Sequence, residues 1–326
     1  MAFFNGYLMA KIFLIYFIFF ILIMFSFPDN CYPAFMDSYL GARSMAMGGA
    51  YTALADDADG GLVNPAGLSM IKSQQLSATT AVLHAGLDDD SMITQNIVGY
   101  AYKSSIGSLG MAWKRFSAGD LYYENILAIS YARSGSLYLT KGDKSRRKNI
   151  SYGGNIKLLN WDSAPTVDSG GRTIEDLPGW TGINFDLGFI IFPSANTPVA
   201  VSFQNIRKSH VNSDSSKIEE KLPLITRMGV AAIDNNTTWV IDLILKQGQI
   251  DLKLGLERKS HDGNLLIRTG IALENLAWGM NFTVGAGYKL GEKTRLDYAF
   301  MYPMNTILET YGSHRVSIVY NFGDNQ

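Results

Sequence analysis

"GQIDLKLGLERK", residues 248–259, places Ile250, Leu252, Leu254 and Leu256 on one side of an extended chain and Asp251, Lys253 and Gly255 on the other. Side chains of a strand alternate between faces, so such a stretch meets an apolar environment on one face and a polar one on the other. "GSLGMAWKRF" (107–116) repeats the pattern through Leu109, Met111 and Trp113. "TRLDYAFMYP" (294–303) does so through Leu296, Tyr298, Phe300 and Tyr302, and "HRVSIVYNF" (314–322) through Val316, Ile318, Tyr320 and Phe322. About fourteen such segments follow residue 75, beginning near Leu76, Ile93, Ile106, Asn125, Ile150, Thr181, Pro198, Leu224, Thr237, Ile250, Asn264, Ala277, Thr294 and Gly312. Their length suits the roughly ten residues of a tilted membrane strand, and an even number closes an antiparallel barrel. The alternative, a soluble β-sandwich, would bury its apolar faces with fewer strands and would not need small or polar residues opposite them.

Connection lengths agree with a barrel. Alternate connections are short turns: "KSSIG", "PSANT", "DNNT", "SHDGN" and "LGEKT". The intervening ones include "NWDSAPTVDSGGRTIEDLPGW" (160–180) and "IRKSHVNSDSSKIEEKLP" (206–223), as expected of outward loops over short periplasmic turns. Segment 134–149 breaks the parity, being long on the short-turn side. Its basic run "KGDKSRRKN" (141–149) has no interleaved aromatics and reads as a solvated loop between two strands.

Over the 326 residues, charged residues make up 17%, aromatics 12%, and the formal net charge is -1. The low charge leans toward lipid contact, and without a basic excess no nucleic-acid partner is expected. Lys11 followed by "IFLIYFIFFILIMFSF" (12–27), Pro28 and polar residues has the order of a secretory signal, with residues 1–34 as its span and Ala34 as a candidate last residue. Tyr32 is large for the position two before that residue. A retained anchor and a lipid on Cys31, the sole cysteine, remain as alternatives. One cysteine excludes an intrachain disulfide.

Between the signal and the strands, residues 41–71 are rich in Gly and Ala and lack strand periodicity, which suits close packing against an inner wall. Asn64 can cap a short helical turn with Pro65 at its first position, and Gly48 and Gly49 permit a bend. Catalytic and metal chemistry is weakly represented. His84, His210, His261 and His314 have no ligand spacing, and "DDADG" (56–60) lacks the closing Glu of a calcium loop and reads, like "LDDD" (87–90), as a solvated turn. "GAGYKLGEKT" (285–294) has the wrong spacing for a phosphate loop, and no Ser/His/Asp arrangement or GxSxG appears, so neither enzyme activity nor a cofactor is expected.

"GARSMAMGGAYTALADDADGGLVNPAGLS" (41–69), ending in Asn64-Pro65-Ala66-Gly67-Leu68, resembles the N-terminal signature of FadL-like outer-membrane proteins, above all the branch containing PorV and PorQ. The aromatic-ended last strand fits too, although four residues follow Phe322 where many such barrels stop. The resemblance implies an all-β transmembrane barrel over residues 76–326 with a luminal hatch at 35–75, gated through Gly48, Gly49, Asn64, Pro65, Ala66 and Gly67. It also implies the outer membrane of a diderm bacterium, with lipid and the outer-membrane assembly machinery as partners. Two functions follow as expectations: uptake of hydrophobic small molecules such as long-chain fatty acids, or a PorV-like scaffold for secretion-system or surface-protein partners.

Overall fold

The computed structural model describes residues 34–35, 40–87, 92–141, 144–167, 172–175, 179–209, 222–246, 248–276, 279–305 and 310–323. The run 12–27, residues 88–90 of "LDDD" and His210 lie outside them. Among the described residues sixteen strands are formed: β1 Gln75–Leu83, β2 Ile93–Ser104, β3 Gly107–Ala118, β4 Tyr122–Lys141, β5 Lys144–Ser163, β6 Thr166–Val167, β7 Thr173–Glu175, β8 Trp180–Ser194, β9 Thr197–Gln204, β10 Ile225–Asp234, β11 Thr237–Lys246, β12 Gln249–Lys259, β13 Leu265–Glu274, β14 Gly279–Leu290, β15 Thr294–Pro303 and β16 Ser313–Asn321. Strands β6 and β7 pair only with each other, in the connection between β5 and β8. The other fourteen form one closed antiparallel barrel, with each strand beside its sequence neighbours and β1 sealed to β16 from Gln75↔Asn321 to Val82↔His314. Closure pairs the wall's backbone groups without leaving an edge, which a lipid environment requires.

The barrel strands sort their side chains as the sequence alternation demands wherever they pair within the wall. On β12, Asp251, Lys253 and Glu257 are buried inward while Leu254 is 38% exposed outward. Ile129, Ile156 and Trp239 also stand on the outer face. The inner face is buried despite being polar, because the lumen is filled by the N-terminal segment.

The segment 134–149 corrects the sequence reading. Its described residues, 134–141 and 144–149, are strand, not loop: β4 and β5 continue in register to Lys141↔Lys144. The barrel neighbours end earlier, at Ser108↔Ala132 on the β3 side and Asn149↔Phe192 on the β8 side. The last five residues of this ribbon therefore stand about 17 Å beyond the wall at the short-turn end. Ser136, Leu137 and Arg147 are all exposed, so consecutive positions of the ribbon meet the same solvent and no apolar/polar alternation marks the pairing.

Candidate functional site

Residues 40–71 run inside the barrel from the long-loop end to the short-turn end. They form one helical turn, α1 (Ala42–Ala46), and two 3-10 turns, Gly60–Leu62 and Pro65–Met70. Tyr51, Ala53, Ala55, Ala66 and Leu68 are all but inaccessible to solvent. Gly48 and Gly49 take the left-handed conformation, φ 66° and 79°, which lets the chain reverse after α1. The Gly48 amide donates to Thr283 Oγ1 at 3.0 Å on β14.

Asn64 caps the second 3-10 turn. Its Oδ1 accepts from the Ala66 amide at 3.1 Å and its Nδ2 donates to the Thr52 carbonyl at 2.9 Å, so one side chain ties two stretches of the segment together. Pro65 occupies the first position of the turn. Ala66 is fully buried, and Gly67 lies so near the Ala55 carbonyl that a Cβ would come within 2.2 Å of its oxygen. The turn presses on the wall between β5 and β8, and residues 71–74 then lead to β1. Lys103 Nζ donates to the Ile71 carbonyl at 3.0 Å in that connection.

The wall receives the segment through inward-facing glycines. A Cβ on Gly188 would lie 1.9 Å from Asn64 Oδ1, on Gly153 2.7 Å from the Pro65 carbonyl carbon, on Gly270 2.2 Å from the Gly48 amide, and on Gly255 2.7 Å from Met47 Cβ. Gly110 meets Leu68, Gly229 meets Thr52, Gly99 meets Asp59 and Gly285 meets Ala46 in the same manner. These glycines were missed from the sequence. A glycine inside a strand marks close approach of another chain, and that signal was present on eight strands.

Two electrostatic contacts complete the seat. On β11, Asp242 Oδ2 accepts from the Tyr51 and Thr52 amides, both at 2.8 Å, and from Thr52 Oγ1 at 2.7 Å. At the short-turn end a closed ring of alternating charge joins segment and wall. Arg43 Nε meets Glu257 at 3.0 Å, Glu257 meets Arg268 at 2.7 Å, and Arg268 meets Asp297 at 2.7 Å. Asp297 meets Arg295 at 2.7 Å, Arg295 meets Asp57 at 3.2 Å, and Asp57 returns to Arg43 at 3.4 Å. Asp56 also holds Arg43, at 2.6 Å. The "DDADG" run is thus a buried pairing site, which corrects the solvated-turn reading. Burial pushes the Asp57 carboxyl up, but Arg295 and Arg43 outweigh it and hold it at about 2. For Asp59, burial and then the charge of Asp57 win, raising it to about 6.

Toward the long-loop end a cavity of about 50 Å³ remains, with Leu40, Leu62 and Val63 of the segment and Phe35, Leu159 and Ile225 as its apolar surfaces. Lys114, Lys157 and Arg227 also line it, each more than nine-tenths buried. Lys157 pairs with Asp186 at 2.7 Å and Asn205 Oδ1 at 2.7 Å, and Arg227 Nε donates to Gln204 at 3.3 Å. The space is smaller than the ~150 Å³ that an apolar cavity needs to admit benzene. In this conformation it holds water at most. Among the described residues no group of three or more His, Cys, Asp or Glu could hold a metal ion.

No family model matches the chain, and no curated protein matches it. Solved structures do. The CymD monoaromatic hydrocarbon channel aligns with a TM-score of 0.61 at 14% identity, over 90% of this chain and 100% of that one. The toluene transporter TodX of P. putida aligns with a TM-score of 0.58 at 14% identity, over 88% of this chain and 99% of that one. Identity this low speaks for architecture alone: the closed fourteen-strand barrel of this chain shares its fold with these channels.

Proposed function

We propose that the chain is an outer-membrane channel that admits hydrophobic small molecules from the long-loop side, with residues 40–71 as its hatch. The observation that carries this reading is the cavity above the hatch. Its apolar surfaces come partly from the hatch itself, so movement of Leu40, Leu62 and Val63 would both enlarge the space and open the way past it. TodX, a toluene transporter, and CymD, a monoaromatic hydrocarbon channel, support the hydrophobic substrate class through their shared fold. A long-chain fatty acid, the ligand that the resemblance at 41–69 implies, would bring its anionic head to Lys114, Lys157 and Arg227, the buried cations that line this cavity. Mass spectrometry of lipids co-purified from outer membranes, in wild type and Arg227→Gln, tests the reading. Fatty acids enriched in wild type and depleted in the variant are expected; no enrichment in either counts against it.

A PorV-like scaffold is the second reading, favoured by the signature at 41–69 and by the close fit of glycine wall to hatch, which leaves so little room. Cross-linking in intact cells separates the two. A scaffold captures secretion or surface proteins even when the cavity cations are neutralised, whereas a channel loses its substrate and captures none.

A further inference from the structure

Phe35 lies at the long-loop mouth of the lumen, far from the short-turn end at which the barrel begins. It is 8% exposed, packed with Leu159 and Leu222, and its ring centroid is 6.4 Å from that of Trp180. Its backbone nitrogen donates to Glu124 Oε1 at 2.9 Å, and Tyr122 Oη donates to the same oxygen at 2.9 Å. Its φ is 68°, a conformation that a bulky L-residue rarely adopts. We infer that the Ala34–Phe35 bond is the site at which the precursor is processed, and that the α-ammonium released on Phe35 is seated on the Glu124 carboxylate.

Three physical points converge on that bond. First, φ of residue 35 is defined by the carbonyl carbon of residue 34, so hydrolysis removes the strain along with the peptide bond. Water adds across the bond, Ala34 leaves as a carboxylate, and the Phe35 nitrogen takes up protons to become an ammonium. Second, a single neutral N–H facing a carboxylate at 2.9 Å becomes one member of an ion pair once that nitrogen is cationic, the stronger of the two interactions. Third, the position constrains whatever precedes it. Seven residues, 28–34, separate the apolar run 12–27 from Phe35 and span at most about 25 Å. With Phe35 at the outer mouth and the lumen below it filled, the run cannot reach back to a membrane on the short-turn side, so an anchor there is incompatible with the folded barrel. Tyr32 is the one departure from the usual cleavage pattern. Processing at Cys31 would instead keep the strained Ala34–Phe35 bond.

The inference concerns export and the seating of the terminus and holds whichever molecule crosses the barrel. Intact-mass measurement of protein from outer membranes should give a chain beginning at Phe35. Retention of residues 12–27, an acylated Cys31, or any other start overturns the processing site. The seat is read separately, from the rate at which an amine-selective reagent labels the α-amine of the folded protein. Glu124→Gln keeps the size and an acceptor oxygen but removes the charge, so labelling should be at least tenfold faster than in wild type, while Tyr122→Phe should stay within threefold of wild type. Equal rates in wild type and Glu124→Gln overturn the ion pair while leaving the mass result standing. If Glu124→Gln does not fold, one glycine inserted after Ala34 moves the ammonium off the carboxylate and should produce the same acceleration; an unchanged rate overturns the pair equally.

Discussion

Removing the Asn64 side chain should loosen the hatch without unfolding the barrel. In Asn64→Ala the Ala66 amide loses its acceptor and the Thr52 carbonyl its donor, both in fully buried surroundings. Loss of a cap alone costs about 0.5–2 kcal/mol. Leaving a buried polar group without its partner adds about 1–3 kcal/mol, and the Thr52 carbonyl is such a group. The two effects together give about 1.5–5 kcal/mol, roughly 10- to 5,000-fold in the population of the displaced hatch. Pro65 keeps its φ but supplies no replacement acceptor. Hydrogen exchange of folded protein in detergent reads this directly: amides of residues 40–71 should lose protection by that factor while those of β11 to β14 keep theirs. In planar bilayers, openings should become more frequent, and deletion of residues 41–66 should give a larger, steadier pore. Unchanged exchange in 40–71, or equal loss of protection in hatch and wall, would refute the assignment of Asn64 as the tie that holds the hatch together.

Gly188→Ala should also displace the turn, because the new Cβ would meet Asn64 Oδ1 at 1.9 Å; combining it with Asn64→Ala removes that clash, so the double variant should be less perturbed than the sum of the singles by hydrogen exchange. Leu254→Arg should destabilise the barrel by about 2–4 kcal/mol if the position lies near the bilayer midplane, measured by unfolding from liposomes; unchanged stability would remove Leu254 from the lipid face. Asp59 binds its proton more tightly in the seated hatch than in the displaced one, so seating is fully favoured below pH 4 and weakens as pH rises through about 6. Asp57, held at about 2, acts with the opposite sign only below pH 4. Hatch exchange should therefore accelerate from pH 4.5 to 7 beyond the intrinsic rate, and Asp59→Asn should abolish the difference.

What could be read from the sequence is what depends on neighbours along one strand. Leu252, Leu254 and Leu256 against Asp251 and Lys253 specify which face of β12 meets lipid, and repetition of that pattern gives the strand number. Where no face is apolar the method fails, as in the β4–β5 ribbon, although the Gly142-Asp143 dipeptide is of the kind that closes a two-residue hairpin. Contacts across the lumen were beyond reach for a different reason. Arg43 and Glu257 are 214 positions apart, and Asp57 and Arg295 are 238 apart, so "DDADG" carries no local sign that its charges are buried and matched. Asn64 was legible as a cap because its partner Ala66 is two residues away; its second partner, Thr52, was not.

The two halves of the hatch seat differ in what would release them. The glycine contacts around Asn64, Pro65 and Gly48 are steric and independent of solvent, and they fix position without opposing a concerted movement away from the wall. The charge ring behaves otherwise. Taking Arg43 away from Glu257 and Asp57 in a dry lumen leaves buried charges uncompensated, at about 3–5 kcal/mol for each broken pair, but water reaching those groups restores most of that loss. Opening at the short-turn end is therefore coupled to hydration, whereas displacement of Leu40, Leu62 and Val63 at the other end exchanges one apolar contact for another if an apolar molecule takes their place. A hydrophobic ligand entering from the long-loop side meets the end of the hatch that it can displace at low cost, and the ring then keeps the far end closed until water follows. On the proposed channel function, substrate is admitted before ions, so ligand binding should precede any rise in conductance when both are recorded on the same bilayer.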